Sequence, residues 1–271
     1  MARVLAALVA LLIAVPALAF DHGYRDWDAL LKKHVRYVES GNASRVSYAG
    51  FARDRAGLKA VLDGFSGVPR SEFEGWTKPQ RQAFLVNAYN AFTIEKVLTR
   101  HPDLKSIRDF GTVFGNPWKD RFFTLLGEPS WLDRIEHEML RKEGDYDDPR
   151  VHVAVVCASI GCPMLRNEAF LPEKLDAQLE DAMRRFFSDR TRNRYDARAK
   201  RLELSRIFDW YGKDFEKGHR GFASVKATAA RYADQLADGA QDRAAIRAQH
   251  TEIAFLEYDW TLNDADRAPG K

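Results

Sequence analysis

Residues 151–165 read Val-His-Val-Ala-Val-Val-Cys-Ala-Ser-Ile-Gly-Cys-Pro-Met-Leu and hold both cysteines of the chain, Cys157 and Cys162. The first six residues are almost all β-branched or small and apolar, and Asp-Asp-Pro precedes them. A short apolar run between turn residues predicts a buried strand. Because loops at the ends of buried elements often hold reactive groups, the Cys-Ala-Ser-Ile-Gly-Cys-Pro loop is the first candidate for a functional site.

The composition predicts a globular protein rather than a disordered one. The chain has 271 residues, of which 45% are hydrophobic and 30% are charged, and its formal net charge is +3. This length is sufficient for one domain with a substantial core. The small positive charge gives no reason to expect a nucleic-acid partner.

The N-terminus has the pattern of a secretory signal peptide. Arg3 is followed by an apolar segment, Val4–Val15, and by Ala-Leu-Ala at 17–19. We expect residues 1–19 to be removed by cleavage near Ala19, which takes away one charge, Arg3, and leaves +2. Since no later stretch approaches 18 apolar residues, the mature chain should have no transmembrane segment and should lie in the periplasm or be secreted.

The strongest helical pattern covers 78–100. Pro79 suits a first helical turn, and no Gly or Pro interrupts the segment. Most of its circumference is apolar, so a central buried helix is expected, yet it contains Asn87, Tyr89 and Asn90. An unpaired buried amide costs roughly 1–3 kcal/mol. The two asparagines should therefore either hold neighbouring loops or line the site.

The remaining patterns predict further helices and a few strands. Helices are expected at 26–39, 53–63, 131–142, 171–187, 206–216, 222–236 and 240–247, and short strands at 122–126, 201–205 and 253–260. The fold class is therefore α+β: a helix-dominated single domain, 21–264, with a small sheet that carries the Cys157 loop and a C-terminal tail at 265–271.

Several motifs resemble the domain-of-unknown-function 547 family. They are Arg-Gln-Ala-Phe-Leu-Val-Asn-Ala-Tyr-Asn-Ala from 81, Ile-Glu-His from 135, Asp-Pro-Arg-Val-His-Val-Ala from 148, the cysteine loop from 157, and Asp-Trp at 259. The matches extend from about residue 46 to 263. The resemblance implies a shared fold and pocket, but it implies no particular activity.

Thiol catalysis needs a thiolate, a base and a group that orients the base. Cys157 is the candidate nucleophile, with backbone N–H groups of its loop as an oxyanion site. On a strand, His152 and Cys157 would point to opposite faces and lie roughly 16 Å apart. His137 is therefore the expected base, with Glu136 or Asn87 to orient it.

Other interpretations of these residues are open. Export favours a structural disulfide between Cys157 and Cys162, and a redox-active pair is a further alternative. His137 and His152 could be core histidines, and Ser159 could be a loop-stabilising hydroxyl, since no Gly-x-Ser-x-Gly motif surrounds it. The spacing of the cysteines and histidines matches no common zinc motif, so no metal and no cofactor are expected.

Two functions remain open. The first is a thiol-dependent hydrolase or acyl/amide transferase that uses Cys157, His137 and Asn87. The second is a non-catalytic binding domain for an unidentified small molecule or peptide, with its loop held by a disulfide. The predicted binding residues are Tyr89, Asn90, His152, Ser159, Cys162 and Arg166.

Overall fold

A computed structural model describes residues 19–111 and 116–267 of the chain. Almost all of the predicted signal peptide, residues 1–18, lies outside the described residues, as do residues 268–271 of the predicted tail. Within the described residues, no helix is both long enough and apolar enough to cross a membrane.

Helices dominate the described structure. The α-helices are α1 (Arg25–His34), α2 (Tyr48–Arg53), α3 (Arg55–Gly67), α4 (Arg70–Glu74), α5 (Lys78–Leu98), α6 (Leu175–Ser188), α7 (Ile207–Trp210), α8 (Val225–Arg231), α9 (Ala233–Leu236) and α10 (Ala240–Arg247). Short 3₁₀ helices cover Glu39–Gly41, Ile107–Phe110, Pro117–Lys119, Pro149–Val153, Gly212–Glu216 and His219–Gly221. A π-helix covers Arg134–Leu140.

The strands form three small sheets. Two are antiparallel hairpins, β1 (Val35–Val38) with β2 (Ala43–Val46), and β3 (Phe123–Leu125) with β4 (Glu128–Ser130). In the third, β6 (Arg201–Leu204) lies between antiparallel β5 (Arg194–Asp196) and parallel β7 (Glu252–Phe255), with Leu202 opposite Ile253. The helix-dominated α+β class is therefore confirmed.

Helix α5 is the centre of the fold, as its sequence predicts. Thr77 and Gln80 form a capping box at its start, which satisfies backbone donors that the first turn leaves free. Most of its residues are buried, including Phe84, Leu85 and Ala88, which are fully inaccessible. A helix buried on nearly all sides can position polar groups against several neighbouring segments at once.

The strand predicted over 151–156 is wrong. Pro149–Val153 is a 3₁₀ helix, and Asp148 begins it by accepting a hydrogen bond from the N–H of Arg150 at 3.1 Å. The buried apolar residues 154–156 then continue without regular structure. The run is apolar because it is surrounded by the core, not because it belongs to a sheet.

The helices predicted at 26–39 and 131–142 also differ from the structure. Helix α1 ends at His34, because Val35–Val38 turns into the β1 strand of a hairpin. The second segment forms the π-helix Arg134–Leu140, whose wider turns change the direction of each side chain. Periodicity detects that both segments are helical in part, but not where the geometry changes.

Candidate active site

One pocket, with a volume of about 230 Å³, contains most of the predicted site residues. Tyr89 of α5, His137 of the π-helix, His152 of the 3₁₀ helix at 149–153, and both cysteines line it. Residues that are distant in sequence therefore meet in a single concave surface, which is the usual form of a small-molecule site.

The thiol of Cys157 is surrounded by groups that stabilise its anion. The Cys162 thiol is the main one, and it lowers the pKa of Cys157 to about 7 against the opposing effect of burial. Ser159 Oγ lies 2.9 Å from Cys157 Sγ, and the Tyr258 hydroxyl lies 3.2 Å from it. A lowered pKa increases the thiolate fraction at neutral pH, and the thiolate is the nucleophilic form.

Cys162 is a buried thiol in contact with Cys157. Its Sγ accepts a hydrogen bond from the backbone N–H of Cys157 at 3.0 Å, and it is 4% exposed. Burial raises the pKa of Cys162 well above its ordinary value. Both cysteines are free thiols, so the predicted disulfide is absent from this structure.

The C-terminal segment fixes the loop after Cys157. The N–H of Ile160 donates to the carbonyl of Thr261, and the N–H of Gly161 donates to the carbonyl of Asp259, both at 2.8 Å. A Cβ at position 161 would lie 2.9 Å from the Asp259 nitrogen, so the close approach of the two chains requires glycine. This pairing also brings Tyr258 beside the thiol.

Most amides of the loop already have acceptors within the protein and are not free to form the predicted oxyanion site. The N–H groups of Cys157, Ile160, Gly161 and Cys162 donate to Sγ or carbonyl acceptors within the protein, and the N–H of Ser159 donates to the Cys157 sulfur. The Tyr258 hydroxyl is the better donor. Burial raises the pKa of Tyr258 well above its usual range, which keeps the hydroxyl protonated.

His152 lies in the pocket wall with Cys157, contrary to the expectation that strand geometry separates the two. Its Nε2 lies 2.8 Å from Asp214 Oδ2, and its ring stacks on Tyr211 with centroids 3.9 Å apart. The side chain is 3% exposed, and its Nδ1 has no hydrogen-bond partner among the described residues. Burial lowers the pKa of His152, so the ring is neutral at pH 7.

Asp214 determines which nitrogen of His152 carries the proton. Its Oδ2 also accepts a hydrogen bond from Arg141 Nε at 2.7 Å. The hydrogen bond from His152, together with Arg141, holds the pKa of Asp214 well below its usual range. A carboxylate accepts only, so Nε2 carries the proton of the neutral ring and Nδ1 keeps a free lone pair. Asp214 lies in no motif and 62 residues after His152, so no local pattern in the sequence points to it.

His137 has no comparable free nitrogen. Its Nδ1 lies 2.6 Å from Nη1 of Arg141, and a guanidinium donates only. The Nδ1 lone pair is therefore occupied, and Nε2 carries the proton of the neutral ring. The side chain is 36% exposed, and its nearest carboxylates, Asp133 and Glu136, lie 3.8 and 3.9 Å away. This geometry does not favour the predicted role of His137 as the base.

Asn87 and Asn90 hold loops in place. Asn87 donates to the carbonyl of Phe170 at 2.8 Å and accepts from its N–H at 3.0 Å. Asn90 does the same for the segment before Cys157, with the carbonyl of Ala154 at 2.9 Å and the N–H of Val156 at 3.0 Å. Both amides are satisfied by backbone groups, so the predicted role of Asn87 in orienting a base has no support in the geometry.

Two further predicted residues have clear positions. Arg166 forms ion pairs with Glu168 and Asp181 and does not line the pocket. Ser159 lies against the thiol and also 3.1 Å from the hydroxyl of Tyr258. Ser159 therefore contacts the Cys157 thiol without itself lining the pocket, whereas Arg166 is held by its two ion pairs.

Aromatic side chains form the outer wall of the pocket. Trp260 lies between Trp210, at a centroid distance of 5.6 Å, and Tyr258, at 4.5 Å. Trp118 meets Trp260 edge-on at 6.3 Å. Trp210 is 46% exposed, so one large ring is open to solvent at the pocket. Among these residues, only Trp260 belongs to a motif noted in the sequence.

Fold and site together define a helix-dominated α+β protein with an acidified thiol in an aromatic-walled pocket. Residues 73–187 match the model of the family described as "Protein of unknown function, DUF547", so this part of the chain is similar to that family. That range contains α5, both pocket histidines and both cysteines, whereas Asp214, Tyr258 and Trp260 lie beyond it.

No curated protein and no solved structure matches the chain. Among the described residues, no three or more His, Cys, Asp or Glu side chains are grouped so as to hold a metal ion.

Proposed function

We propose that this protein is a thiol-dependent hydrolase or acyl/amide transferase in which Cys157 is the nucleophile, His152 is the base and Asp214 orients the base. One observation carries the proposal: the acidified thiol shares a pocket with a buried histidine whose Nδ1 is unpartnered while its Nε2 is bound to a carboxylate. This is the division of roles that acyl transfer by a nucleophile, base and orienting group requires.

The roles follow from the positions of the atoms. Cys157 Sγ attacks the carbonyl carbon of an ester or amide, a C–S bond forms, and the carbonyl electron pair moves to oxygen. The Tyr258 hydroxyl, 3.2 Å from Sγ, donates to that oxygen. Nδ1 of His152 takes the thiol proton and passes it to the leaving amine or alcohol as its bond to carbon breaks.

The thioester is then opened by water or by an acceptor amine. His152 takes the proton of the incoming molecule, the C–S bond breaks, and the proton returns to the Cys157 sulfur. Asp214 keeps its negative charge throughout and stabilises the imidazolium that forms in each half-reaction. The outcome is hydrolysis when water attacks and acyl transfer when an amine attacks.

The test is site-resolved alkylation with iodoacetamide. In the native protein, Cys157 should be modified with a pH midpoint of about 7, while the buried Cys162 remains unmodified. The rate should rise with pH through that midpoint, because only the thiolate reacts. Peptide mass spectrometry distinguishes the two cysteines, and Cys157→Ala is the control that removes the signal.

A second measurement tests turnover. The native protein should release nitrophenolate from p-nitrophenyl acetate with transient acetylation of Cys157, and Cys157→Ala should not. Equal alkylation of the two cysteines, with the same pH midpoint in native and urea-unfolded protein, would contradict the proposal. Alkylation at Cys157 without acetylation would favour a binding domain instead.

A further inference from the structure

The same pocket contains two carboxylates that the proposed reaction does not use. Asp133 and Glu136 both line it, and their side chains are 14% and 8% exposed. Glu136 Oε2 accepts a hydrogen bond from Tyr89 at 3.2 Å, and Asp133 Oδ2 accepts a weak one from Asn116 at 3.4 Å. Neither donor, Tyr89 nor Asn116, carries a positive charge.

The pocket wall offers these carboxylates little neutralising charge. The described residues that line it include no lysine and no arginine, and the side chain of His137 lies 3.8 Å from Asp133 and 3.9 Å from Glu136. The Nδ1 of that ring already accepts from Arg141. Burial raises the pKa of Asp133 and the adjacent Glu136 adds to the rise, although His137 and Lys119 oppose it. A buried carboxylate is costly unless a cation pairs with it.

The rest of the pocket lining is rich in aromatic rings. Tyr89, Trp118, Trp210, Tyr211, Tyr258 and Trp260 all line the pocket. Ring faces attract cations, most strongly when the cation is shielded from water. Arg108 already lies over Trp260, and Arg141 over Tyr211. Trp210 has no cation over its ring among the described residues, and its exposure leaves it accessible.

His152 gives an independent sign that a ligand enters this pocket. Its Nδ1 is buried in the wall and has no hydrogen-bond partner in the described part of the chain. An orphaned buried nitrogen is stabilised when an incoming group supplies a donor. The volume of about 230 Å³ suits a small functional group with its linker rather than a large ring system.

We infer that the pocket selects substrates that carry a primary ammonium group, which lies between the Asp133 and Glu136 carboxylates and the aromatic wall beside Cys157. The inference rests on the proposed function, since the group is part of the molecule whose carbonyl Cys157 attacks. Carboxylate oxygens accept hydrogen bonds from N–H, so an ammonium with donors fits better than a quaternary one. The substrate class is therefore an amino-functional ester or amide, such as a peptide with a free amine near the bond that is broken.

The experiment compares methanethiosulfonate reagents that differ in charge, used on the full chain. The four probes carry an aminoethyl, a trimethylammonioethyl, a sulfonatoethyl or a methyl group. In each case the Cys157 thiolate forms a disulfide with the transferred group and releases methanesulfinate. Each rate is divided by the rate of the same reagent with free cysteine, which removes intrinsic differences in reactivity.

We expect the normalised aminoethyl rate to exceed the sulfonatoethyl rate by about tenfold or more, with the trimethylammonio reagent between them. Asp133→Asn, alone and with Glu136→Gln, should reduce that ratio towards one. Asp63→Asn, an exposed carboxylate outside this pocket, is the matched control and should leave the ratio unchanged.

Asp133→Asn and Glu136→Gln change buried side chains and can impair folding, so a variant at an exposed position is also tested. Trp210→Ala changes an exposed ring and should lower the ratio of the aminoethyl rate to the methyl rate. Equal normalised rates for all four probes, or a faster sulfonatoethyl reagent, would overturn the inference. The uncharged methyl reagent tests the proposed function separately from the selection of ammonium groups. If it failed to modify Cys157, the proposal of a reactive thiol would be contradicted.

Discussion

The pocket contains two histidines, and they lie on two different kinds of short helix. His137 belongs to the π-helix Arg134–Leu140, and His152 belongs to the 3₁₀ helix Pro149–Val153. Arg141 faces the first ring and Asp214 faces the second. The partner, and not the residue type, determines which ring has a free lone pair. A donor-only neighbour uses the nitrogen that a base needs, whereas an acceptor-only neighbour leaves it available.

The two histidines are connected through Arg141. Its Nη1 donates to His137 and its Nε donates to Asp214, which in turn binds His152. The guanidinium therefore has two effects. It uses the Nδ1 lone pair of His137, and it helps to keep the Asp214 carboxylate ionised. Because both rings belong to one hydrogen-bond network, the effect of replacing one histidine can be compared directly with the effect of replacing the other.

The comparison is tested most strongly by removing each ring in turn. His152→Ala should slow acetylation of Cys157 by p-nitrophenyl acetate about 10²- to 10⁴-fold, because a general base contributes on that order. His137→Ala should slow it by less than about tenfold, since its ring has no free nitrogen to accept a proton. Nitrophenolate release and the mass of the Cys157 peptide measure both.

His34→Ala is the matched control. His34 is also buried, and its Nε2 also meets a carboxylate, Asp54, at 2.7 Å, but it does not line the pocket. Its loss should lower the midpoint of thermal unfolding and leave acetylation almost unchanged. A larger effect on acetylation from His137→Ala than from His152→Ala would reverse the assignment of the base.

The second test changes the group that orients His152. Asp214→Asn should slow acetylation by about 10- to 100-fold, the usual range for a group that positions another. The amide can donate to Nε2, which would move the ring proton to Nδ1 and remove the free lone pair. Asp214→Glu, which retains the carboxylate, should recover part of the rate. If both variants retained the full rate, Asp214 would have only a structural role.

The sequence predicts the central helix because its signals are local and continuous. A capping box, an early proline and an uninterrupted apolar pattern all lie within 78–98, and the structure has α5 there. The sequence also points to the cysteine loop, because reactive residue types and glycine occur together there, and both cysteines line the pocket. Such features depend on neighbouring residues alone.

The prediction of His137 as the base rests on a strand at 151–156 that the structure does not have. An apolar run of six residues fits a strand as well as a buried irregular segment, and the strand assumption separated His152 from Cys157. Asp214 and Tyr258 reach the site from 62 and 101 residues further along the chain than their partners His152 and Cys157. Contacts over such separations leave no local pattern that a single sequence could reveal.

The smallest expected effect is a change in the pKa of Cys157, which lines the pocket together with the two histidines. Cys162→Ala removes the donor that most lowers the pKa of Cys157, so the midpoint of alkylation should rise from about 7. A rise of about one unit would reduce the thiolate fraction at pH 7 roughly fivefold. Cys162→Ser retains a hydroxyl donor at the same position and should give a midpoint between the alanine variant and the native protein. Iodoacetamide rates measured across pH give all three midpoints. If the midpoint of Cys162→Ala stayed at or below the native value, the hydroxyls of Ser159 and Tyr258 would be sufficient to stabilise the thiolate.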